Sequence, residues 1–166
     1  MRILLLDDQP PYFNSVWIPR LRQRGHEVVF HRRLGSAFDA LSQDSGFDLV
    51  VLDLLMDHEP PPGLASLSGI VSAALRSAGH PGETTAQALG LWLWRQRRPY
   101  CYLTAYPILW RPELDSPPEF VGATPQELKF LVCEKGSEGK APDFVEGVYK
   151  LWMEKLAGGW KPMGQP

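Results

Sequence analysis

The run Leu49-Val50-Val51-Leu52 passes straight into Asp53, and no other stretch constrains this chain as much. Four apolar residues in a row, two of them β-branched, read as a strand covered on both faces, as in a parallel sheet. Asp53 then falls at the carboxyl end of that strand, where open α/β sheets put their ligand sites. A carboxylate in apolar surroundings is costly unless something compensates it. Either Asp53 is a surface acid just beyond the strand, or it is a metal ligand or nucleophile; its companions decide.

Strand-like and helix-like segments alternate along the chain. Arg2 to Leu6 reads as a first strand, ending in Asp7-Asp8-Gln9 and broken by Pro10-Pro11. Phe13, Val16, Trp17 and Leu21 at helical spacing predict a helix from Tyr12 to Arg24, closed by Gly25. Glu27 to His31 is a second strand, and Ala37 to Leu41 a short helix. After Asp53 the rhythm breaks: residues 57–83 hold four prolines, four glycines and one good helical stretch, Ser66 to Arg76. Such a segment reads as an insertion or functional loop. Thr84 or Thr85 caps a helix over Ala86 to Gln96, and Tyr100 to Thr104 is a fourth strand. Residues 106–120 are irregular and rich in proline, and Thr124 to Glu127 looks like a capped helical start. Phe130 to Glu134 is a fifth strand, followed at once by Lys135. Pro142 opens a last helix to Leu156 with Phe144, Val148, Leu151 and Trp152 inward, and residues 158–166 form a tail. This predicts an α/β chain, a flavodoxin-like three-layer sandwich around a five-stranded parallel sheet of order 2-1-3-4-5.

Length and composition fit one domain, residues 1–157. The 166 residues suffice to bury a core, and 44% hydrophobic with 22% charged residues is ordinary for a globular chain. A formal net charge of -2 gives no electrostatic case for nucleic acid or an anionic membrane. The apolar start Ile3 to Leu6 is too short for a secretory signal and meets Asp7-Asp8 at once, so neither a signal nor a membrane-spanning run is expected. Cys101 and Cys133, both in apolar segments, read as free thiols in a cytoplasmic protein, with a disulfide between neighbouring strands as the alternative.

In the order 2-1-3-4-5, strands 1, 3, 4 and 5 deliver their carboxyl ends to one edge. There the sequence sets Asp7 and Asp8, Asp53, Thr104 and Lys135. Carboxylates so close would repel one another. A hard divalent cation resolves the conflict, and Mg2+ suits a few carboxylates with waters and room for a phosphate oxygen. Lysine offers a point charge for a phosphoryl oxygen and threonine a hydrogen bond. Asp53 is left as an acceptor that forms an acyl phosphate. The four histidines show no ligand spacing, although His58 with Asp57 and Glu59 lies near this pocket in sequence.

Taken together, Leu5-Leu6-Asp7-Asp8-Gln9, Asp48 through Met56, Leu103-Thr104-Ala105 and Cys133-Glu134-Lys135 resemble the receiver domain of two-component response regulators. The resemblance implies that Asp53 is the phosphoacceptor, taking its group from a histidine kinase or phosphotransfer protein. It implies that Asp7, Asp8, Asp53 and the carbonyl of Leu55 hold Mg2+, and that Thr104 and Lys135 bind the phosphoryl group and act as the switch. Leu55 and Tyr106, two beyond Asp53 and Thr104, are the tuning positions. Bulky residues there imply slow self-dephosphorylation, so the chain is a phosphoacceptor and not a conventional enzyme. With only a short tail after the last helix, the expectation is a stand-alone regulator signalling through protein contacts, with a downstream protein or a homodimer as outlets.

The departures from the family pattern are specific. Thr104 follows Asp53 by 51 positions, more than the family shows, with the excess in residues 57–83. Val132 stands where the family has its aromatic switch residue, and Gly136 where proline follows the lysine. These point to the alternative, a phosphorylation-independent pseudo-receiver acting as a protein-binding module. A flavodoxin-like hydrolase is a third class, without a further general base to support it.

Overall fold

The computed structural model describes residues 1–9, 16–56, 59–81, 86–111, 114, 131–135 and 141–158. Strand β1 (Arg2–Leu6) is followed by helix α1 (Ile18–Gln23), β2 (Glu27–His31), α2 (Leu34–Gln43) and β3 (Leu49–Leu52). Two helices, α3 (Ala65–Ser77) and α4 (Gln87–Arg95), precede β4 (Tyr100–Thr104), and β5 (Val132–Glu134) leads to α5 (Ala141–Ala157). One sheet results, in the expected order β2-β1-β3-β4-β5 with every neighbouring pair parallel.

Covering on both faces explains the unbroken apolar runs. Ile3 to Leu6, all of β3 and all of β4 are buried. The sheet order reverses at β1, so right-handed connections put α1 and α2 on opposite faces. Helix α5 packs beside α1 and against β4. Helices α2 and α4 meet through Phe38 and Trp92, whose rings stand edge to face with centroids 5.3 Å apart. Segment 57–83 contributes α3, which buries Leu67, Val71 and Leu75 along one stripe and packs against α4. Gly90 is needed where α4 crosses β4, because a Cβ there would collide with the Tyr102 hydroxyl.

Several local expectations shift. Residues 12–15 of the first predicted helix lie outside the described residues; a π-turn at Val16 and Trp17 leads into α1. Gly25 ends that helix with φ +80°. Helix α2 begins earlier than Ala37, since Leu34 joins Ala37 and Leu41 on one buried stripe. In α5 the inner stripe is Val145, Val148 and Trp152, while Leu151 is exposed: it lies one residue, about 100° of rotation, away from Trp152. Arg98, just beyond α4, donates to the carbonyls of Leu41 and Asp44 at 2.6 and 3.2 Å, fastening the end of α2. Both cysteines are free, with Cys101 buried and Cys133 half-buried. No helix among the described residues is long and apolar enough to cross a membrane. The caps expected at Thr84 or Thr85 and at Thr124, most of 106–120, and 159–166 lie outside the described residues.

Candidate functional site

Each residue at the carboxyl edge is held by the sheet itself. The Asp7 N–H donates to the His31 carbonyl at 3.0 Å, carrying the β1–β2 pairing one residue beyond the strand. The Asp53 N–H does the same to Leu6 at 2.8 Å, and the Lys135 N–H to Thr104 at 2.8 Å. Backbone hydrogen bonds therefore fix the roots of these side chains, and the site falls beside the reversal of strand order between β1 and β3, where such sheets open a crevice.

The side chains converge. One carboxylate oxygen from each of Asp7, Asp8 and Asp53 lies within 4.8 Å of the other two. Lys135 Nζ lies 2.6 Å from Asp7 Oδ2 and 2.5 Å from Asp53 Oδ2. Asp7 and Asp53 are buried, Asp8 is half-buried, and the lysine side chain is only 11% exposed. Asp7 Oδ1 accepts from the Gln9 N–H at 2.6 Å. Asp53 Oδ1 is buried and has no hydrogen-bond partner among the described residues.

Three acids here face one ammonium. Burial, together with the charge of Asp7, raises the Asp53 carboxyl to about 7, although Lys135 pulls the other way. Burial also raises Asp7 against the pull of Lys135. Lys135 is held above its ordinary value: its bonds to Asp53 and Asp7 outweigh its own burial. Without a further cation, the pocket thus retains a proton near neutrality. A divalent ion fits it: the donors are hard oxygens, their excess charge is negative, and Asp53 Oδ1 lacks a donor of its own.

Thr104 is fully buried, and its Oγ1 accepts from the Tyr106 N–H at 3.0 Å, which leaves the hydroxyl proton available to another acceptor. Leu55 is half-buried, whereas Tyr106 is half exposed and Ile108 more so. Asp57 and His58 lie outside the described residues, and Glu59 is exposed.

One residue escaped the sequence reading. Gln87, fully buried at the start of α4, donates Nε2 to the Arg111 carbonyl at 2.8 Å and accepts from the Arg111 N–H at 3.1 Å. Its neighbour Ala86 donates to the Leu54 carbonyl at 2.8 Å. The start of α4 therefore ties the loop after Asp53 to the segment after Thr104. The only signal in the sequence was a lone amide within Ala86-Gln87-Ala88-Leu89, which nothing local explains.

No family model matches the sequence, and no curated protein matches it. In structure the chain is similar to a response regulator receiver domain protein from Clostridium thermocellum, at 16% identity and a TM-score of 0.54, over 94% of this chain and 98% of that one. A response regulator receiver protein from Sinorhizobium medicae is similar at 16% identity and a TM-score of 0.50, over 92% and 96%. NtrX from Brucella abortus, in a complex with ADP, is similar at 16% identity and a TM-score of 0.58, over 95% of this chain but 29% of its own length. At such identities the likeness concerns the fold. The chain has the flavodoxin-like fold of response regulator receiver domains, with helices around a parallel sheet of order 2-1-3-4-5.

Proposed function

We propose that this protein is a cytoplasmic response regulator receiver that accepts a phosphoryl group on Asp53 from a histidine kinase or phosphotransfer protein. One observation carries the reading: three carboxylates and Lys135 are gathered, largely buried, at the carboxyl edge of the sheet. Asp7, Asp8 and Asp53, with the Leu55 carbonyl, would hold Mg2+, which when bound supplies positive charge against the phosphoryl oxygens. In the transfer, an oxygen of ionised Asp53 forms the new P–O bond as the P–N bond of the donor phosphohistidine breaks, and the imidazole nitrogen keeps the electron pair. Lys135 then exchanges its contact with Asp53 for a phosphoryl oxygen, and the Thr104 hydroxyl donates to another. Output passes through contacts with a downstream protein or a second copy.

Leu55 and Tyr106 flank the acyl phosphate in this reading. Leu55 has no polar group to orient an attacking water, so the phosphoprotein decays slowly. Retention of label through a minutes-scale chase is expected; loss within it counts against the assignment of these two residues.

A second reading, a pseudo-receiver that binds proteins without phosphorylation, draws support from Val132. This half-buried aliphatic residue on β5 has no hydroxyl with which to follow Thr104. Intact mass measured after incubation with a small phosphodonor and Mg2+ separates the two. A gain of one phosphoryl group, absent in Asp53→Ala, supports the receiver. No gain under any donor or pH supports the pseudo-receiver.

A further inference from the structure

The opposite edge of the sheet carries a second feature. A cleft of about 440 Å³ opens there between the carboxyl ends of α2 and α4, just before β3 and β4 begin. That volume is within the range of small-molecule sites. Its apolar lining includes Trp92, which is half-buried, and Phe47, which is buried with the Arg2 guanidinium over its ring at 4.3 Å. Ser42 and Ser45 supply hydroxyls, Arg97 and Arg98 supply charge, and no carboxylate lines it among the described residues.

The two arginines differ. Arg98 is engaged, donating to the Leu41 and Asp44 carbonyls at the end of α2. Arg97 has no ion-pair partner among the described residues, and its Nε is buried without a hydrogen-bond acceptor. Its backbone sits at φ +56°, the left-handed conformation that closes α4, where the Arg97 and Arg98 N–H groups donate to the Trp94 and Leu93 carbonyls, both at 2.9 Å. A guanidinium with no partner among the described residues, in a cleft that also holds the half-buried Trp92 ring, suits a planar ligand carrying one negative charge.

We propose that this cleft binds a small aromatic carboxylate, with its carboxylate on Arg97 and its ring against Trp92. The site is independent of Asp53 and of any phosphoryl chemistry. A monoanion matches the single uncommitted guanidinium.

The test uses the full chain with 2-naphthoate as probe and 2-naphthylmethanol as its neutral counterpart, titrated by calorimetry in the presence of EDTA. The acid is expected to bind at least about tenfold more tightly than the alcohol, one charge-assisted hydrogen bond being worth that much. Arg97→Asn removes the guanidinium while tolerating the left-handed backbone, and is expected to weaken the acid about tenfold and leave the alcohol unchanged. Ser45→Asp, an exposed position on the rim, sets a carboxylate against the ligand and is expected to weaken the acid in the same way. Asp53→Asn is expected to change neither. Equal affinity for acid and alcohol, an unaltered acid affinity in Arg97→Asn with its thermal midpoint preserved, or no binding at millimolar probe overturns the proposal.

Discussion

The two edges of this sheet are built in opposite ways. At the carboxyl edge, Asp7, Asp53 and Lys135 each follow a strand directly and are rooted by backbone hydrogen bonds. At the amino edge, the arginines hang from the end of α4, and Arg98 reaches carbonyls at the end of α2. The first edge concentrates negative charge around one lysine, whereas the cleft at the second holds two arginines and no carboxylate among the described residues that line it, with Asp44 close by acting on Arg98. Parallel strands cause this separation, since all their carboxyl ends emerge on one side. Chemistry attached to strand ends is then collected at one place and cannot leak to the other.

The largest way to break that contrast is Lys135→Met. It leaves Asp7 and Asp53 buried with no cation, and removing one partner of a buried ion pair costs roughly 3–5 kcal/mol. Urea unfolding in EDTA should show this loss, and added Mg2+ should recover part of it. A loss no larger than that of an ordinary surface substitution would mean the acids are solvated.

The pH response of the metal-free protein comes next. Asp53 titrates at about 7 in the folded chain and near its ordinary value when unfolded, so the folded state binds the extra proton. Stability from this group is therefore full below the unfolded value, falls as pH rises toward 7, and levels off above it, with a slope of at most about 1.4 kcal/mol per pH unit. Asp53→Asn should flatten that slope over the same window, as followed by thermal midpoints between pH 4 and 8. An unchanged slope would place the responsible group elsewhere.

At the amino edge the two arginines offer the sharper and smaller comparison. Arg98→Met orphans two carbonyls at the end of α2 and should cost about 1–3 kcal/mol in urea unfolding. Arg97→Asn removes no intramolecular bond among the described residues and should change stability by no more than about 0.5 kcal/mol. Equal losses would show that both arginines serve the helix ends, and that neither is reserved for a ligand.

Legibility in the sequence follows the same division. Helix starts and ends drifted by a few residues, as at Leu34, because burial of one more side chain extends a helix without a local signal. Leu151 and Val145 exchanged places because a stripe of apolar residues on a 3.6-residue period can be drawn in more than one way until a neighbour is present. Strand ends did not drift at Asp53 or Thr104, where an unbroken apolar run stops at a polar residue.

The sequence alone determined the alternation of strands and helices and which residues stand at the strand ends, because each is a one-dimensional pattern of apolar runs and breaks; the order 2-1-3-4-5 was a choice among the few topologies that right-handed crossovers leave. Tertiary structure alone decided that Lys135 lies between Asp7 and Asp53, that Gln87 fastens the segment after Thr104, and that Arg98 is engaged while Arg97 is not. These facts depend on side chains far apart in the chain meeting at a given distance and depth of burial. No local pattern encodes such meetings; they arise only when the sheet closes and the helices settle on it.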